Sequence, residues 1–126
     1  REVTFSHSRL DMMMGNGGLC YLEMKSVTLV EDYVGLFPDA PTSRGVRHMN
    51  ALALAVGEGH RAAVIFVVQR EDAHAFSPND SADPLFGTAL REAKAAGVEI
   101  YAYRCLVSTE EIILAEQLPV IIPERP

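Results

Sequence analysis

The sequence predicts an α/β domain, a mixed β-sheet that opens with an antiparallel three-strand meander and continues α-β-α-β. Three observations predict it. Residues 15–18 read Gly-Asn-Gly-Gly between two apolar runs, the composition of a hairpin turn. Residues 61–68, "RAAVIFVV", form a continuous apolar run rich in β-branched side chains, as a central strand buried on both faces does. Two segments with apolar residues at helical spacing flank that run.

Each element follows from local chemistry. "REVTFS" alternates Val3 and Phe5 and reads as a first strand; "RLDMMM" is the second. "LCYLEMKSVTLV", residues 19–30, is the third. "GLFPDAPTSRG", residues 35–45, is rich in turn formers and reads as a loop. Thr42 or Ser43 caps the helix that follows, in which Val46, Met49, Leu52, Ala53 and Val56 recur on one side until Gly57 and Gly59 end it. After the central strand, "FSPNDSADP" is a loop whose Asp83-Pro84 pair starts a second helix, cap then first turn. Leu85, Ala89, Leu90 and Ala93 give its apolar side, and Gly97 closes it. "VEIYAYRCLV" is a further strand, and "EEIILAEQLPVII" a last strand or strand pair with Pro119 marking an edge.

The bulk numbers exclude several classes. At 126 residues the chain holds one domain, residues 1–126, with one core. Its longest apolar runs are too short to span a bilayer, so no membrane role is expected. Cys20 and Cys105 read as buried thiols of a cytoplasmic protein, and without a CxxC or a Cys/His cluster no zinc site is expected. A formal charge of −6 argues against a broad electrostatic grip on nucleic acid, so any phosphate contact must be local or helped by metal ions or another domain.

The hairpin register decides which side chains meet. A three-residue loop, Asn16-Gly17-Gly18, pairs Gly15 with Leu19 and sets Met14, Met12 and Leu10 opposite Cys20, Leu22 and Met24, a wholly apolar face. Arg9, Asp11 and Met13 then face Lys25, Glu23 and Tyr21, with Asp11 directly across from Glu23. Two facing carboxylates repel, which a bound cation would offset; equally, Lys25 and Arg9 would neutralise them as a solvated polar cluster. Farther along, Arg44, Arg47 and His48 lie at i, i+3 and i+4 near a helix start, where anions are favoured. The same three residues also suit a solvated face opposite Val46, Met49 and Val56. Asp39 reads as a turn or cap acid, Met12 to Met14 as strand residues, Tyr101 and Tyr103 as core or rim packing, and His7, His60 and His74 as scattered and exposed.

An acid on one strand and "ExK" on the next resembles the signature of the PD-(D/E)xK nuclease superfamily. The surrounding blocks "SRLD", "EMKSVTL", "FPDAPTSRGVRHMNAL" and "EGHRAAVIFVVQR…FSPN…LREAKAAGVEIYAY" resemble the sugar fermentation stimulation protein A (SfsA) family over essentially the whole chain. The resemblance implies a restriction-endonuclease-like core, preceded in the family by an OB-like segment and an early core helix that this sequence lacks. It implies that Asp11, Glu23, the backbone carbonyl of Met24 and, near the start, Glu2 hold Mg2+ or Mn2+. Lys25 would position or activate the attacking water. It implies DNA as the partner and either metal-dependent phosphodiester hydrolysis or DNA-binding regulation of sugar metabolism genes without cleavage. The oligomeric state stays open, a homodimer included.

Overall fold

The computed structural model of the chain describes residues 20–107 and 112–125. The first two expected strands, the hairpin turn, and with them Glu2 and Asp11, lie outside the described residues. From there the order is β1 (Cys20–Val27), β2 (Leu29–Glu31), β3 (Val34–Phe37), α1 (Ser43–Gly57), β4 (Arg61–Val68), β5 (Ala75–Pro78), α2 (Pro84–Ala96), β6 (Glu99–Val107) and β7 (Ile112–Leu118).

The described strands form two sheets, where a single mixed sheet was expected. The larger runs β1-β4-β6-β7 and the smaller β2-β3-β5. In the larger, β1, β4 and β6 are parallel and β7 returns antiparallel along β6, with an irregularity at Arg104/Cys105. The expected third strand is interrupted after Val27. Its end becomes β2, which turns at Asp32 and Tyr33, both at positive φ (51° and 66°), into β3. Residues read as loops supply β3 and β5, which pair in parallel. Beyond Pro119 the chain runs beside β5, the Phe76 amide donating to the Pro119 carbonyl at 2.9 Å and the Ile121 amide to the Phe76 carbonyl at 2.7 Å.

β4 is the centre of the sheet as its composition requires: every residue from Ala62 to Val68 is buried. One face carries the main core. There Val27, Val64, Phe66, Val68 and Ala102 meet Met49, Leu52 and Ala55 of α1 and Phe86, Ala89, Leu90 and Ala93 of α2. Phe66 stacks on Phe76 at 4.1 Å between centroids, and Phe37 meets Phe86 edge-on at 5.1 Å. Each such ring contributes roughly 1.5–3 kcal/mol by leaving water. The opposite face has a smaller cluster of Ile65, Val67 and Cys105 with Leu22, Met24, Tyr101 and Tyr103 packed on it.

This division corrects the expectation for β1. Its alternation holds, but the apolar side, Leu22 and Met24, belongs to the smaller cluster. Glu23 and Lys25 pair in register with Val64 and Phe66, so they stand on the helix-covered face at the margin of the main core. β4 is apolar on both sides, so which face takes the helices is set elsewhere, and Val27 is the β1 residue that joins them.

The helix starts fix where α1 lies. Thr42 caps α1, its Oγ1 accepting the Gly45 amide at 3.0 Å, and Asp83 caps α2, its Oδ1 accepting the Phe86 amide at 3.0 Å. The other oxygen of Asp83 accepts the Thr42 amide at 2.8 Å, so one carboxylate ties both helix starts together. A Cβ on Gly45 would lie 2.7 Å from Thr42 Cγ2 and 3.2 Å from the Phe86 ring, so glycine is what lets α1 close onto α2. Gly97, at φ 111°, ends α2 in the left-handed conformation expected of it.

Candidate functional site

Glu23 and Lys25 point the same way because strand residues two apart share a face. Lys25 Nζ lies 2.9 Å from Glu23 Oε2. α1 then brings His48 over them, with Nδ1 at 2.6 Å from Lys25 Nζ and 3.0 Å from Glu23 Oε2. The lysine side chain is 12% exposed and the other two 28%, so the three atoms meet in a partly dehydrated corner. An ammonium only donates, so the 2.6 Å contact is a hydrogen bond from Lys25 in the tautomer of His48 whose ring proton is on Nε2. His48 Nδ1 and Glu23 Oε2 are then two acceptors held close by the ammonium they share.

The backbone adds a further group. The Gln69 amide donates to the Val27 carbonyl at 2.9 Å, which turns that carbonyl toward β4. Carbonyls alternate along a strand, so the carbonyl of Met24, three residues earlier, faces the outer edge of β1. Beside the corner is an open hollow of about 290 Å³ walled by Tyr21, Glu23, His48, Ala51 and Leu52. Tyr21, 43% exposed, meets His60 edge-on at 5.4 Å.

The expected site residues are thus only partly brought together. Glu23, Lys25 and His48 converge. Arg44 and Arg47 stand exposed on α1, Arg47 with a 3.4 Å bond to Ser43 Oγ. His48, expected to face a phosphate beside them, is engaged with Lys25. His60, read as exposed, is half-buried against Tyr21, whereas His74 is exposed and meets Tyr33 edge-on at 5.3 Å. Asp39 is exposed. Glu2 and Asp11 lie outside the described residues, so the facing of Asp11 and Glu23 does too.

Mg2+ and Mn2+ favour oxygen donors, one or two carboxylates with the rest waters or substrate oxygens. The donors present, the Glu23 carboxylate and the edge-facing Met24 carbonyl, are of that kind. No group of three or more His, Cys, Asp or Glu stands ready to hold a metal among the described residues, so a full ligand set needs Asp11 or Glu2 as well.

Tyr101 and Tyr103 pack on the second face. The Glu99 carboxylate there accepts from Arg61 Nε and Nη2 at 2.5 and 2.7 Å and from the Tyr101 hydroxyl at 2.5 Å. Arg61 holds Glu99 below the usual carboxylate range, and Glu99 pushes the Tyr101 hydroxyl up. Cys20 and Cys105 are both buried, as expected, and are not joined in a disulfide. No helix among the described residues is long and apolar enough to cross a membrane.

The sugar fermentation stimulation protein RE domain (SfsA) model matches residues 1–111. The chain belongs to the SfsA family. It is 50% identical over 121 residues to a sugar fermentation stimulation protein homolog of Desulforamulus reducens, covering 95% of this chain and 51% of that one. It is 53% identical over 123 residues to a homolog of Pelobacter propionicus, covering 96% of this chain and 54% of the relative. The chain therefore spans about half the length of the SfsA relatives it matches. Among solved structures, SfsA of Pyrococcus furiosus in complex with Ca2+ matches with a TM-score of 0.76 and 35% identity, over 82% of this chain and 45% of that one. At that identity the likeness covers both the fold and the family.

Proposed function

We propose that this chain carries a restriction-endonuclease-like, PD-(D/E)xK site that hydrolyses phosphodiesters in DNA with Mg2+ or Mn2+. The observation that carries the proposal is the convergence of Glu23 and Lys25, 2.9 Å apart on one face of β1, the outermost of the described strands of the larger sheet. The Pyrococcus furiosus relative is in complex with Ca2+, which supports a divalent cation for a member of this family. Glu23, the Met24 carbonyl, Asp11 and, less centrally, Glu2 are the groups that would hold it. The chemistry the ion supplies when bound is a more acidic water and charge neutralisation on the phosphate.

The chain's own residues do the rest. Lys25, a compact cation with three donors, orients the attacking water and balances charge that builds on the phosphate oxygens as the P–O bond to the leaving oxygen breaks. Arg44 and Arg47 on the first turns of α1 meet neighbouring phosphates, local cations in a chain of net charge −6.

Full-length protein incubated with supercoiled plasmid and single-stranded DNA in Mg2+ or Mn2+ tests this. Wild type should cut, and Glu23→Ala and Lys25→Ala should each lose about a hundredfold or more. No cutting by wild type, or equal rates in both variants and wild type, sinks the enzyme reading. The same experiment separates a second reading, a DNA-binding regulator that does not cleave. That reading is favoured by the Lys25 ammonium being held in an ion pair with Glu23 at 2.9 Å, and it predicts DNA binding with no cutting.

A further inference from the structure

We propose, on the hydrolase reading above, that His48 is a positioning residue that holds the Lys25 ammonium on station through Nδ1. The argument starts from competition for Glu23. That carboxylate is both the acceptor that anchors Lys25, at 2.9 Å, and a proposed cation ligand. Lone pairs committed to a divalent ion hold the lysine less well. A lysine whose only anchor is weakened regains the freedom of its four-carbon stem.

His48 supplies an acceptor outside that competition. Its Nδ1 lies 2.6 Å from Lys25 Nζ, closer than the carboxylate. The ring is delivered by a rigid element: Met49, the next residue, is fully buried in the main core, and the start of α1 is pinned through Thr42 to Asp83. An ammonium has three donors. With one on Glu23 and one on His48, the third is left with a fixed direction, toward a water or a phosphate oxygen.

The test uses full-length protein carrying His48→Ala, His48→Asn or His48→Gln. The asparagine oxygen stands as far from the backbone as Nδ1 does; the glutamine oxygen stands one carbon farther out. His48→Ala should lower kcat for DNA cleavage by about tenfold, the loss of one charge-assisted bond, with KM little changed. His48→Asn should recover most of it and His48→Gln should not. A second readout needs no activity. This sequence has two lysines, Lys25 and Lys94, and Lys94 is exposed. Competitive acetylation followed by peptide mass spectrometry gives the reactivity of Lys25 relative to Lys94. That ratio should rise several-fold in His48→Ala and return in His48→Asn. An unchanged ratio in His48→Ala overturns the pairing whatever the cleavage result. Equal rescue by His48→Gln overturns the role of Nδ1. If wild type does not cut DNA, the hydrolase reading and His48's place in it fall together, while the acetylation ratio still decides whether His48 anchors Lys25.

Discussion

Asp83→Ala should cost this domain a large part of its stability. The side chain is 5% exposed and accepts two backbone amides, Phe86 at 3.0 Å and Thr42 at 2.8 Å. The first is a helix cap, about 1 kcal/mol. The second is a bond to a charged acceptor between two segments 41 residues apart, about 1.5–3 kcal/mol by general experience. Alanine removes both and leaves two amides short of partners, for a loss of about 3 kcal/mol against a typical total of about 5–15. At roughly 4 °C per kcal/mol for a domain of this size, the melting temperature should fall about 12 °C. Asp83→Asn keeps one acceptor and turns an NH2 group toward the other amide, so it should lose about half as much. Urea and thermal unfolding measure both, and amide hydrogen exchange at Thr42 and Phe86 should quicken in the alanine variant. A melting temperature within about 4 °C of wild type for Asp83→Ala would show that the two helix starts are held by something else.

Two further outcomes follow from the ion pairs. A Cβ on Gly87 would lie 1.9 Å from Asp80 Oδ1, 2.6 Å from Arg125 Nη2 and 2.8 Å from Arg91 Nη1, inside the network that fastens the C-terminal segment to α2. Gly87→Ala should therefore destabilise by about 1 kcal/mol or more in urea unfolding, even though alanine is favoured over glycine in a helix by a similar amount; a gain in stability would contradict the crowding. Asp80 and Glu99 are held below the ordinary carboxylate range, chiefly by hydrogen bonds from Arg91 and Arg61 respectively. Depressed folded-state values mean that this stability is present above the unfolded carboxylate range, about pH 4, and is lost as pH falls through the lower folded values. Wild type should then lose stability below about pH 4 more steeply than Asp80→Asn/Glu99→Gln, and parallel acid titrations of stability would contradict the assignment.

Local chemistry made much of the fold legible. The unbroken apolar run of β4, the caps at Thr42 and Asp83 and the left-handed Gly97 each follow from one property of one residue type, and each stands where expected. The second sheet was hidden because its signals are non-local or unusual. The β2–β3 turn is Asp32-Tyr33, both at positive φ, and Tyr33 stands where a sequence reading looks for Gly. Gly35, read as loop, is a strand residue whose missing side chain lets β3 approach Val68; a Cβ there would lie 3.1 Å from it. β5 ends in Pro78 and runs into turn formers, so its pairing with β3 shows only in three dimensions.

At the site, the i, i+2 spacing put Glu23 and Lys25 together correctly. The apolar alternation around them, however, pointed to Leu22 and Met24 as the core side, whereas the helices cover the other. With α1 on the Glu23 face, its first inward polar residue meets Lys25.

The central claim is that Glu23 holds a divalent ion and that Lys25 serves the same site. Crystals of the full-length protein soaked in Mn2+ and measured at its absorption edge test that most directly. The account predicts anomalous density against the Glu23 carboxylate shared with Asp11, with Lys25 still bonded to His48. No anomalous density there, with Lys25 remaining on Glu23, would contradict it and leave an SfsA fold whose acid and amine serve each other alone.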